Sequence, residues 1–432
     1  MAFTKQTIKD YDLAGKRVLL RADYNVPLEA DGSIADDYRI QQSLPTLKYL
    51  LEQKCSVVIC SHLGRPDGKP NPGLSLRPAA ERLSKLLGKH VSFIPNSFGD
   101  KVEAAAKGLR SGELLMIENL RFQPGEEANS KTFAHDLSRL GEVFVQDGFG
   151  VVHRSHASTE AVTHFLPSVA GLLLAAEVDT ITNVMEKPER PLVAVIGGAK
   201  IADKIDILKR FIDIADFVAV GGAMANTFLL AEDIDIGKSL ADREEVPLAE
   251  EIIELARAKT KKQPFIFYLP QDGVVAKSLD KNAVTRLVDW DAHVIADIEN
   301  YPKRPTRASG QVARDEKILD IGPYTGAFIA GGIQLAKTVI WNGTMGVTET
   351  PSLQGPIGPF AHGTETIVEA LMGEYGNKPF SLVGGGDTVG YLEERGIINR
   401  FSHVSTGGGA SLELMSGKKL PGVEALLDKK AK

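Results

Sequence analysis

The chain has 432 residues, too many for one ordinary hydrophobic core, which favours two or more domains. Apolar residues make up 43% and charged residues 25% of the sequence, values typical of a folded globular protein. The formal net charge is -6, with both signs mixed along the chain, which argues against a dedicated nucleic-acid or anionic-membrane binder.

Several features of the sequence predict a soluble, cytoplasmic protein. Residues 1–12 lack the apolar core of a signal peptide, and the longest apolar stretch, Val169–Val178, is far shorter than the ~20 residues that span a bilayer. Cys55 and Cys60 lack the spacing of a zinc or redox pair. Their odd spacing on a strand points them to opposite faces, so we expect two buried, reduced thiols.

Short runs rich in Val, Ile and Leu alternate with helical stretches along the chain. This alternation predicts parallel sheets covered by helices on both faces, and two such series predict two Rossmann-like α/β lobes of three layers each. The predicted strands of the first half are Arg17–Arg21, Ser56–Cys60, Val91–Ile94, Leu114–Ile117 and Val143–Val145. Those of the second half are Leu192–Ile196, Phe217–Val220, Phe265–Tyr268, Thr338–Trp341 and Phe380–Val383.

Two predicted helices lie near the middle of the chain. One covers Glu177–Met185 and is followed by the proline-rich stretch 187–191, a pattern that indicates a stiff connection between the lobes. The other begins at Ile201, because apolar residues recur from there at helical spacing. The repeating residues are Ile201, Ile205, Leu208 and Ile212.

Glycine clusters follow predicted strands of the second half. Helix N-termini present unpaired N–H groups and partial positive charge, which suits phosphate, and glycine lets the phosphate approach the backbone. Tight turns alone explain a single cluster, but four favour phosphate binding. Neither the P-loop nor the dinucleotide-binding glycine pattern occurs, although Gly237-Lys238-Ser239 matches the end of a P-loop. The clusters are Gly197–Lys200, Gly221–Ala225, Gly384–Thr388 and Ser405–Gly409.

Charged residues accompany two of these clusters. Lys200 and Lys204 are four residues apart at the start of the predicted Ile201 helix, where cations are unfavourable and an anionic ligand would explain them. Two solvated surface lysines are the alternative. Asp387 directly follows a glycine run and suits Mg²⁺ bound to nucleotide phosphates, although a helix N-cap is equally compatible.

Basic residues follow successive strands of the first half. Because ligands of open α/β sheets bind outside the carboxyl ends of the strands, we expect these side chains to converge, although any one alone could be a solvated surface residue. Arginine binds carboxylate and phosphate at two points, so the pattern predicts a small anion that carries both groups. Neighbouring arginines would repel a cation, which disfavours metal binding by the histidines. The residues are Arg21, Arg39, His62, Arg65, Arg121, His153, Arg154 and His156.

Seven segments, in this order, resemble those of the phosphoglycerate kinase family, and the resemblance covers essentially the whole chain. They are Arg21–Pro27, Ser61–Pro66, Glu118–Phe122, Gly197–Lys204, Trp341–Gly343, Gly384–Thr388 and Ser405–Glu413. The resemblance implies a glycolytic and gluconeogenic kinase that moves a phosphoryl group reversibly between 1,3-bisphosphoglycerate and ADP, giving 3-phosphoglycerate and ATP. It implies direct in-line transfer in an interdomain cleft that closes by hinge motion. A glycerate carboxylate is already ionised at neutral pH, so the reaction needs positioning and charge stabilisation rather than a general base.

The resemblance also implies a domain plan and roles for residues. The plan is an N-terminal 3-phosphoglycerate-binding domain over 1–175, a hinge over 176–190, a C-terminal nucleotide-binding domain over 191–404, and a segment 405–432 that returns to the N-terminal domain. The implied substrate-binding residues are Asp23, Tyr24, Asn25, Arg39, His62, Leu63, Gly64, Arg65, Arg121 and Arg154. The implied nucleotide-binding residues are Gly198, Ala199, Lys200, Lys204, Gly222, Asn342, Glu349, Gly384, Gly385, Gly386, Asp387 and Thr388, with Mg²⁺ on Asp387. The implied catalytic groups are Arg39, Lys200, Lys204 and the helix N-termini at Gly385 and Gly408.

Two segments depart from the family pattern. Thr344 and Thr348 stand where the family has a proline and a phenylalanine near the nucleotide. Val151, followed by Val152, removes a hydroxyl close to Arg154. We expect retained activity with altered Michaelis constants.

Two other functions compete with this prediction. An ATP-using ligase of similar architecture would need a second acceptor site, which no segment indicates. A catalytically silent binding protein would be favoured by the loss of Arg39, Lys204 or Asp387, and all three are present. The resemblance further implies a monomer whose partners are its small-molecule substrates, with no nucleic acid and no membrane.

Overall fold

A computed structural model describes residues 3–290, 294–295 and 311–429 of the chain. The chain forms two compact units, which we call unit 1 (Met1–Asn183 with Thr406–Lys432) and unit 2 (Val184–Ser405). Within the described ranges, no helix has both the length and the apolar character needed to cross a membrane.

The strands alternate with helices along most of the chain. The strands are β1 (Arg17–Arg21), β2 (Ser56–Cys60), β3 (Val91–Ile94), β4 (Leu114–Ile117), β5 (Val143–Gln146), β6 (Ser168–Ala170), β7 (Leu192–Ile196), β8 (Phe217–Val220), β9 (Ile266–Tyr268), β10 (Asp272–Ala276), β11 (Arg286–Asp289), β12 (Val294–Ile295), β13 (Lys317–Ile321), β14 (Thr338–Asn342), β15 (Phe380–Gly384) and β16 (His403–Val404). The helices are α1 (Tyr38–Glu52), α2 (Arg77–Leu87), α3 (Asp100–Lys107), α4 (Pro124–Glu127), α5 (Lys131–Ser138), α6 (Leu172–Glu186), α7 (Ile205–Ile214), α8 (Gly222–Ala231), α9 (Val246–Thr260), α10 (Pro323–Leu335), α11 (His362–Met372), α12 (Gly386–Glu394), α13 (Gly409–Met415) and α14 (Pro421–Glu424).

Unit 1 contains a six-stranded parallel sheet in the order β3-β4-β2-β1-β5-β6. Apolar residues cover both of its faces, because side chains alternate along each strand. Leu20 packs in the cluster on one face and Leu19 in the cluster on the other. The two free thiols divide in the same way: Cys55 packs with Leu20 and Cys60 with Leu19, and both are buried. The prediction of buried, unpaired thiols on opposite faces is confirmed.

Unit 2 contains a seven-stranded sheet in the order β12-β9-β8-β7-β14-β15-β16. Its strands run parallel except β12, which pairs antiparallel with β9. The predicted α/β fold with helix-flanked parallel sheets is confirmed for both units.

All ten predicted strands are present, with bounds that differ by at most one residue. A small antiparallel sheet in the order β11-β10-β13 was not predicted. Three of the four residues of β11 are exposed, and Gly273 lies inside β10. These strands therefore lack the continuous apolar run by which the others were recognised.

Two predicted helix starts were wrong. A 3₁₀ turn, Ala202–Lys204, replaces the first turn of the expected helix, and α7 begins only at Ile205. Lys200 and Lys204 therefore do not share a helical face. The helix predicted from Glu177 begins earlier, at Leu172, because distant side chains cap it: the Thr46 hydroxyl accepts from Leu172 N at 2.9 Å.

Candidate active site

The first candidate site lies at the carboxyl ends of neighbouring strands in unit 1. In the sheet, β4, β2, β1 and β5 are adjacent in that order. Basic residues follow each of them, and the electrostatic interactions of Arg21, His62, Arg121 and Arg154 with one another place them in one cluster. The predicted convergence thus follows from the parallel topology, since carboxyl ends of parallel strands meet at one edge.

Asp23 and Arg39 form the central ion pair of this cluster. Arg39, in the first turn of α1, donates from Nη1 to Oδ2 of Asp23 at 2.8 Å. Burial opposes ionisation of Asp23, but the positive charges of Arg39 and its neighbours outweigh it and lower the pKa to about 2. Asp23 is therefore a carboxylate at neutral pH and orients one edge of the Arg39 guanidinium.

Arg21 is the fully buried arginine of the cluster. Its Nε donates to the Ser158 hydroxyl at 2.8 Å, and its Nη2 lies 3.2 Å from Nδ1 of His62. Sequence reasoning placed Arg21 in the basic series but gave it no role. Its position as the last residue of β1 was the available signal.

Two further arginines are held by polar partners. Arg121 donates from Nη1 to the carbonyl of Gly64 at 2.8 Å, and its Nε lies 3.2 Å from Glu127. Gly64 has φ +64, and a Cβ there would lie 2.7 Å from the end of the Leu74 side chain, so glycine is favoured at this position. Its N–H donates to Oδ1 of Asn25 at 2.8 Å. These contacts join the loop after β2, which contains Gly64, to the segments that contain Asn25 and Arg121.

Burial and the nearby arginines keep the three histidines of the cluster neutral. Burial and the nearby arginines hold the pKa of His62 well below its ordinary value. For the same reasons the pKa values of His153 and His156 are lowered to about 4. All three are neutral at pH 7, so they add hydrogen-bonding groups without adding charge. The surrounding arginines favour an anion over a metal ion at such a site.

Some predicted substrate residues are placed elsewhere. Tyr24 is fully buried with its hydroxyl 2.8 Å from that of Ser43, and Leu63 packs in the core. Neither side chain points into the cluster, so these two can contribute only through their backbone. Arg65 is exposed, and Arg154 is half-buried with its Nε donating to His153 at 3.1 Å.

The valines near Arg154 are also packed inward. Val151 is buried, and its Cγ2 lies close to Gly148. The carbonyl of Val152 accepts from Gly422 N at 2.9 Å. The side chain at position 151 thus packs inside unit 1, which weakens the expectation that a hydroxyl there would touch substrate.

The second candidate site lies where the strand order of unit 2 reverses, beside β7 and β14. Lys204 donates its ammonium to the carbonyl of Gly197 at 2.5 Å and to Oδ1 and the carbonyl of Asn342 at 2.8 and 3.2 Å. Burial lowers the pKa of Lys204 to about 8, although the nearby Asp387 and Asp203 raise it. Lys204 therefore lies at the carboxyl ends of β7 and β14, and its charge depends on pH near neutrality.

A cavity of about 580 Å³ opens beside this lysine. Glycine is required at its edge, because Gly222 has φ +65 and a Cβ there would lie 2.7 Å from Gly198 N. The predicted residues that line it are Gly198, Ala199, Gly222, Glu349 and Asp387. Lining residues that the sequence did not reveal include Lys238, Leu240, Trp290, Ile318 and Met345. The only signal for any of them was the P-loop-like Gly237-Lys238-Ser239.

Helix α12 brings Asp387 to the cavity. It begins at Gly386 after Gly385, whose φ of +98 makes the sharp turn at the end of β15 (Gly384). Asp387 is exposed in its first turn, whereas Thr388 is buried and accepts from Gly343 N at 2.8 Å. Thr388 thus joins α12 to the Asn342 segment, and Lys200 stays exposed in the loop after β7.

Most of the fourth glycine cluster, Thr406–Gly409, belongs to unit 1, whereas the other three clusters lie in unit 2. Glu177 accepts from N and Oγ1 of Thr406 at 2.6 and 2.8 Å. A Cβ on Gly407 would lie 2.2 Å from the Phe149 ring, and one on Gly409 3.4 Å from His153. Gly408, the N-cap of the short helix α13, thus lies near the basic cluster. The alternation of strands and helices did not indicate this return of the chain, which only the family resemblance implied.

The residues near the cavity suit a magnesium ion that is held partly by the protein and partly by the phosphates of a bound molecule. In the described ranges, no three His, Cys, Asp or Glu side chains are grouped as a metal-binding site. Mg²⁺ at nucleotide sites typically takes one or two carboxylates and completes its shell with phosphate oxygens and water. Asp387, exposed at the cavity wall, meets that requirement.

Comparison with known proteins decides the family. The model of the phosphoglycerate kinase family matches residues 8–418. The chain belongs to the phosphoglycerate kinase family. Curated phosphoglycerate kinases from Moorella thermoacetica and Chloroflexus aurantiacus are 45% and 46% identical to it, over 98% of this chain and 100% and 99% of theirs.

Solved phosphoglycerate kinases share the fold over nearly the whole chain. The structure from Coxiella burnetii has a TM-score of 0.78 at 36% identity, and that from Pyrococcus horikoshii 0.80 at 29%, each covering 98% of both chains. The protein is thus a phosphotransferase with a carboxyl group as acceptor, and its function is the glycolytic reaction of phosphoglycerate kinases.

Proposed function

We propose that unit 1 binds 3-phosphoglycerate through the basic cluster. The convergence of basic side chains at the carboxyl ends of neighbouring strands carries this proposal, because Arg39 and Arg121 lie there with Arg154 close to Arg121. Arg39, Arg121 and Arg154 would bind the phosphate and carboxylate, with Arg65 available from its exposed loop. Asp23 and Asn25 would orient them: Asp23 pairs with Arg39, and Asn25 holds the Gly64 loop.

Unit 2 would bind ADP or ATP in the cavity beside Lys204. The nucleotide phosphates would lie against the backbone of Gly198 and Gly222 and the first turn of α12. Asp387 would hold Mg²⁺, which neutralises phosphate charge when bound. Glu349, exposed at the cavity wall, would contact the ribose.

The chemistry needs no general base in this scheme. The carboxylate of 3-phosphoglycerate is already ionised and attacks the terminal phosphorus of ATP while the bond to ADP breaks. The residues of the two units then act by holding their substrates and by neutralising charge. Lys204 would donate to the nucleotide phosphate once its ammonium leaves the carbonyls of Gly197 and Asn342.

The test is ATP-dependent phosphorylation of 3-phosphoglycerate, coupled to NADH oxidation by glyceraldehyde-3-phosphate dehydrogenase, with and without Mg²⁺. Arg39→Ala should lower turnover by at least about 10²-fold, a loss of about 3 kcal/mol, because a charged contact to the reacting carboxylate is removed. Arg82→Ala is the matched control: Arg82 also pairs with an aspartate, Asp37 at 2.6 Å, but it lies outside the cluster. Equal loss in both variants, or an Arg39→Ala protein that is merely unfolded, would contradict the assignment.

Two alternatives are decided by the same assay. A folded protein without activity toward 3-phosphoglycerate, with GTP also tried, would favour a silent binding protein or an altered acceptor. The monomeric state and the cytoplasmic location remain predictions.

A further inference from the structure

The proposed nucleotide cavity of unit 2 is partly lined by apolar side chains. Three of its lining residues, Leu229, Trp290 and Ile318, meet in one hydrophobic cluster: the first two belong to it and Ile318 packs against it. This cluster joins α8 to the small antiparallel sheet of β10, β11 and β13. The cavity therefore extends from the glycine-lined, polar edge near Asp387 to an aromatic and aliphatic wall.

The orientation of Trp290 is tightly determined. Its backbone N donates to the Gln271 carbonyl at 3.0 Å, and its indole Nε1 donates to the Pro270 carbonyl at 2.6 Å. A Cβ on Gly273 would lie 2.5 Å from the far edge of the indole, so β10 has room for this ring because it has glycine there. With the single indole N–H satisfied, Trp290 offers the cavity only apolar ring surface.

The apolar wall of the cavity can be compared with position 348, where the sequence departs from the family pattern. Thr348 stands where the family pattern has a phenylalanine. Thr348 is half-buried and does not line the cavity, whereas Trp290 does. A ligand with a flat aromatic part and a polyphosphate would fit both ends of such a cavity.

We propose that Trp290 is an affinity-determining contact for the nucleobase. The inference rests on the proposed nucleotide site. Stacking and edge contacts with an aromatic ring need only the π-face of a base. Trp290 therefore stabilises ADP and GDP to similar extents, and it does not by itself select adenine.

The test compares equilibrium binding of ADP, measured by calorimetry in Mg²⁺, in two variants of the same cluster. Trp290→Leu removes the aromatic wall and should raise the Kd about five- to tenfold, the lower range for loss of one base–aromatic contact. Val275→Ala is the control, because Val275 is fully buried in the cluster but does not line the cavity. It should lower stability and leave the Kd unchanged. The KM for 3-phosphoglycerate should stay at the wild-type value in both.

Fluorescence supplies a second measurement that does not require Trp290 to be replaced. The chain has two tryptophans, so Trp341→Phe leaves Trp290 as the sole emitter. ADP should change its emission with the same midpoint as the calorimetric titration. Unchanged emission at saturating ADP, or a Trp290→Leu Kd equal to that of wild type, would overturn the proposal and leave Trp290 as a core residue. Binding of ADP without phosphoryl transfer would instead count against the proposed function, and absence of ADP binding against the nucleotide site itself.

Discussion

Raising the pH from 7 to 9 should weaken nucleotide binding, because Lys204 loses its charge in this range. Burial lowers the pKa of Lys204 to about 8. Below this pH the ammonium is charged and can pair with a phosphate; above it the amine is neutral and the attraction is lost. Since only the charged form pairs, bound nucleotide should raise the pKa, and binding near pH 8 should take up a proton.

The size of the effect follows from the same pKa. With a value of about 8, about nine tenths of Lys204 is charged at pH 7 and about one tenth at pH 9, so the Kd of ADP should rise about tenfold. A lysine at its ordinary pKa of 10.5 would change the Kd by only about 3%. The terminal phosphate of ADP, with a pKa of about 6, is already ionised above pH 7.5 and adds little.

Calorimetric titration with ADP in excess Mg²⁺, at constant ionic strength and in two buffers of different ionisation enthalpy, measures both the Kd and the proton uptake. Lys204→Arg is the control, because arginine keeps its charge to pH 9 and should flatten the profile. A wild-type Kd that is equal at pH 7 and pH 9 would refute the role given to Lys204.

Three further predictions concern acid stability, the metal and the altered nucleotide segment. Burial and nearby arginines lower the pKa of His156 to about 4, so unfolding takes up a proton below pH 6.5. His156 alone should therefore reduce the free energy of unfolding by about 1–2 kcal/mol between pH 7 and pH 5. Urea denaturation measures this free energy, and an equal change with pH in wild type and His156→Gln would contradict the prediction. Asp387→Asn should weaken ADP binding in Mg²⁺ far more than in EDTA, and equal losses in calorimetry would exclude a metal-binding role. Thr344→Pro combined with Thr348→Phe should change the KM for ATP and leave that for 3-phosphoglycerate unaltered; unchanged values for both substrates in the coupled assay would show that these departures are neutral.

Local pattern was sufficient for most of the parallel fold. Strands buried on both faces, such as β1 and β7, form continuous apolar runs whose bounds can be read directly. The rule that ligands bind at the carboxyl ends of parallel strands then located Arg39, Arg121 and Asp387 near candidate sites. These inferences succeeded because they depend on short-range periodicity and on the polarity of parallel sheets.

Other features depend on contacts between residues far apart in the sequence. The start of α6 depends on Thr46, and the assignment of the last glycine cluster to unit 1 depends on Glu177 binding Thr406. Which side chains face a ligand is decided the same way: Tyr24 follows β1 as Asp23 does, yet it turns into the core toward Ser43.

The sequence by itself determined the fold class, the family and the chemical character of the two anion-binding regions. Only the tertiary structure decided how Lys204 is held, why its pKa is near 8, and that Trp290 reaches the nucleotide cavity. The physical reason is that periodicity and motif order are local properties of the chain. Burial, pKa values and cavity walls arise from groups that come together only when the chain folds.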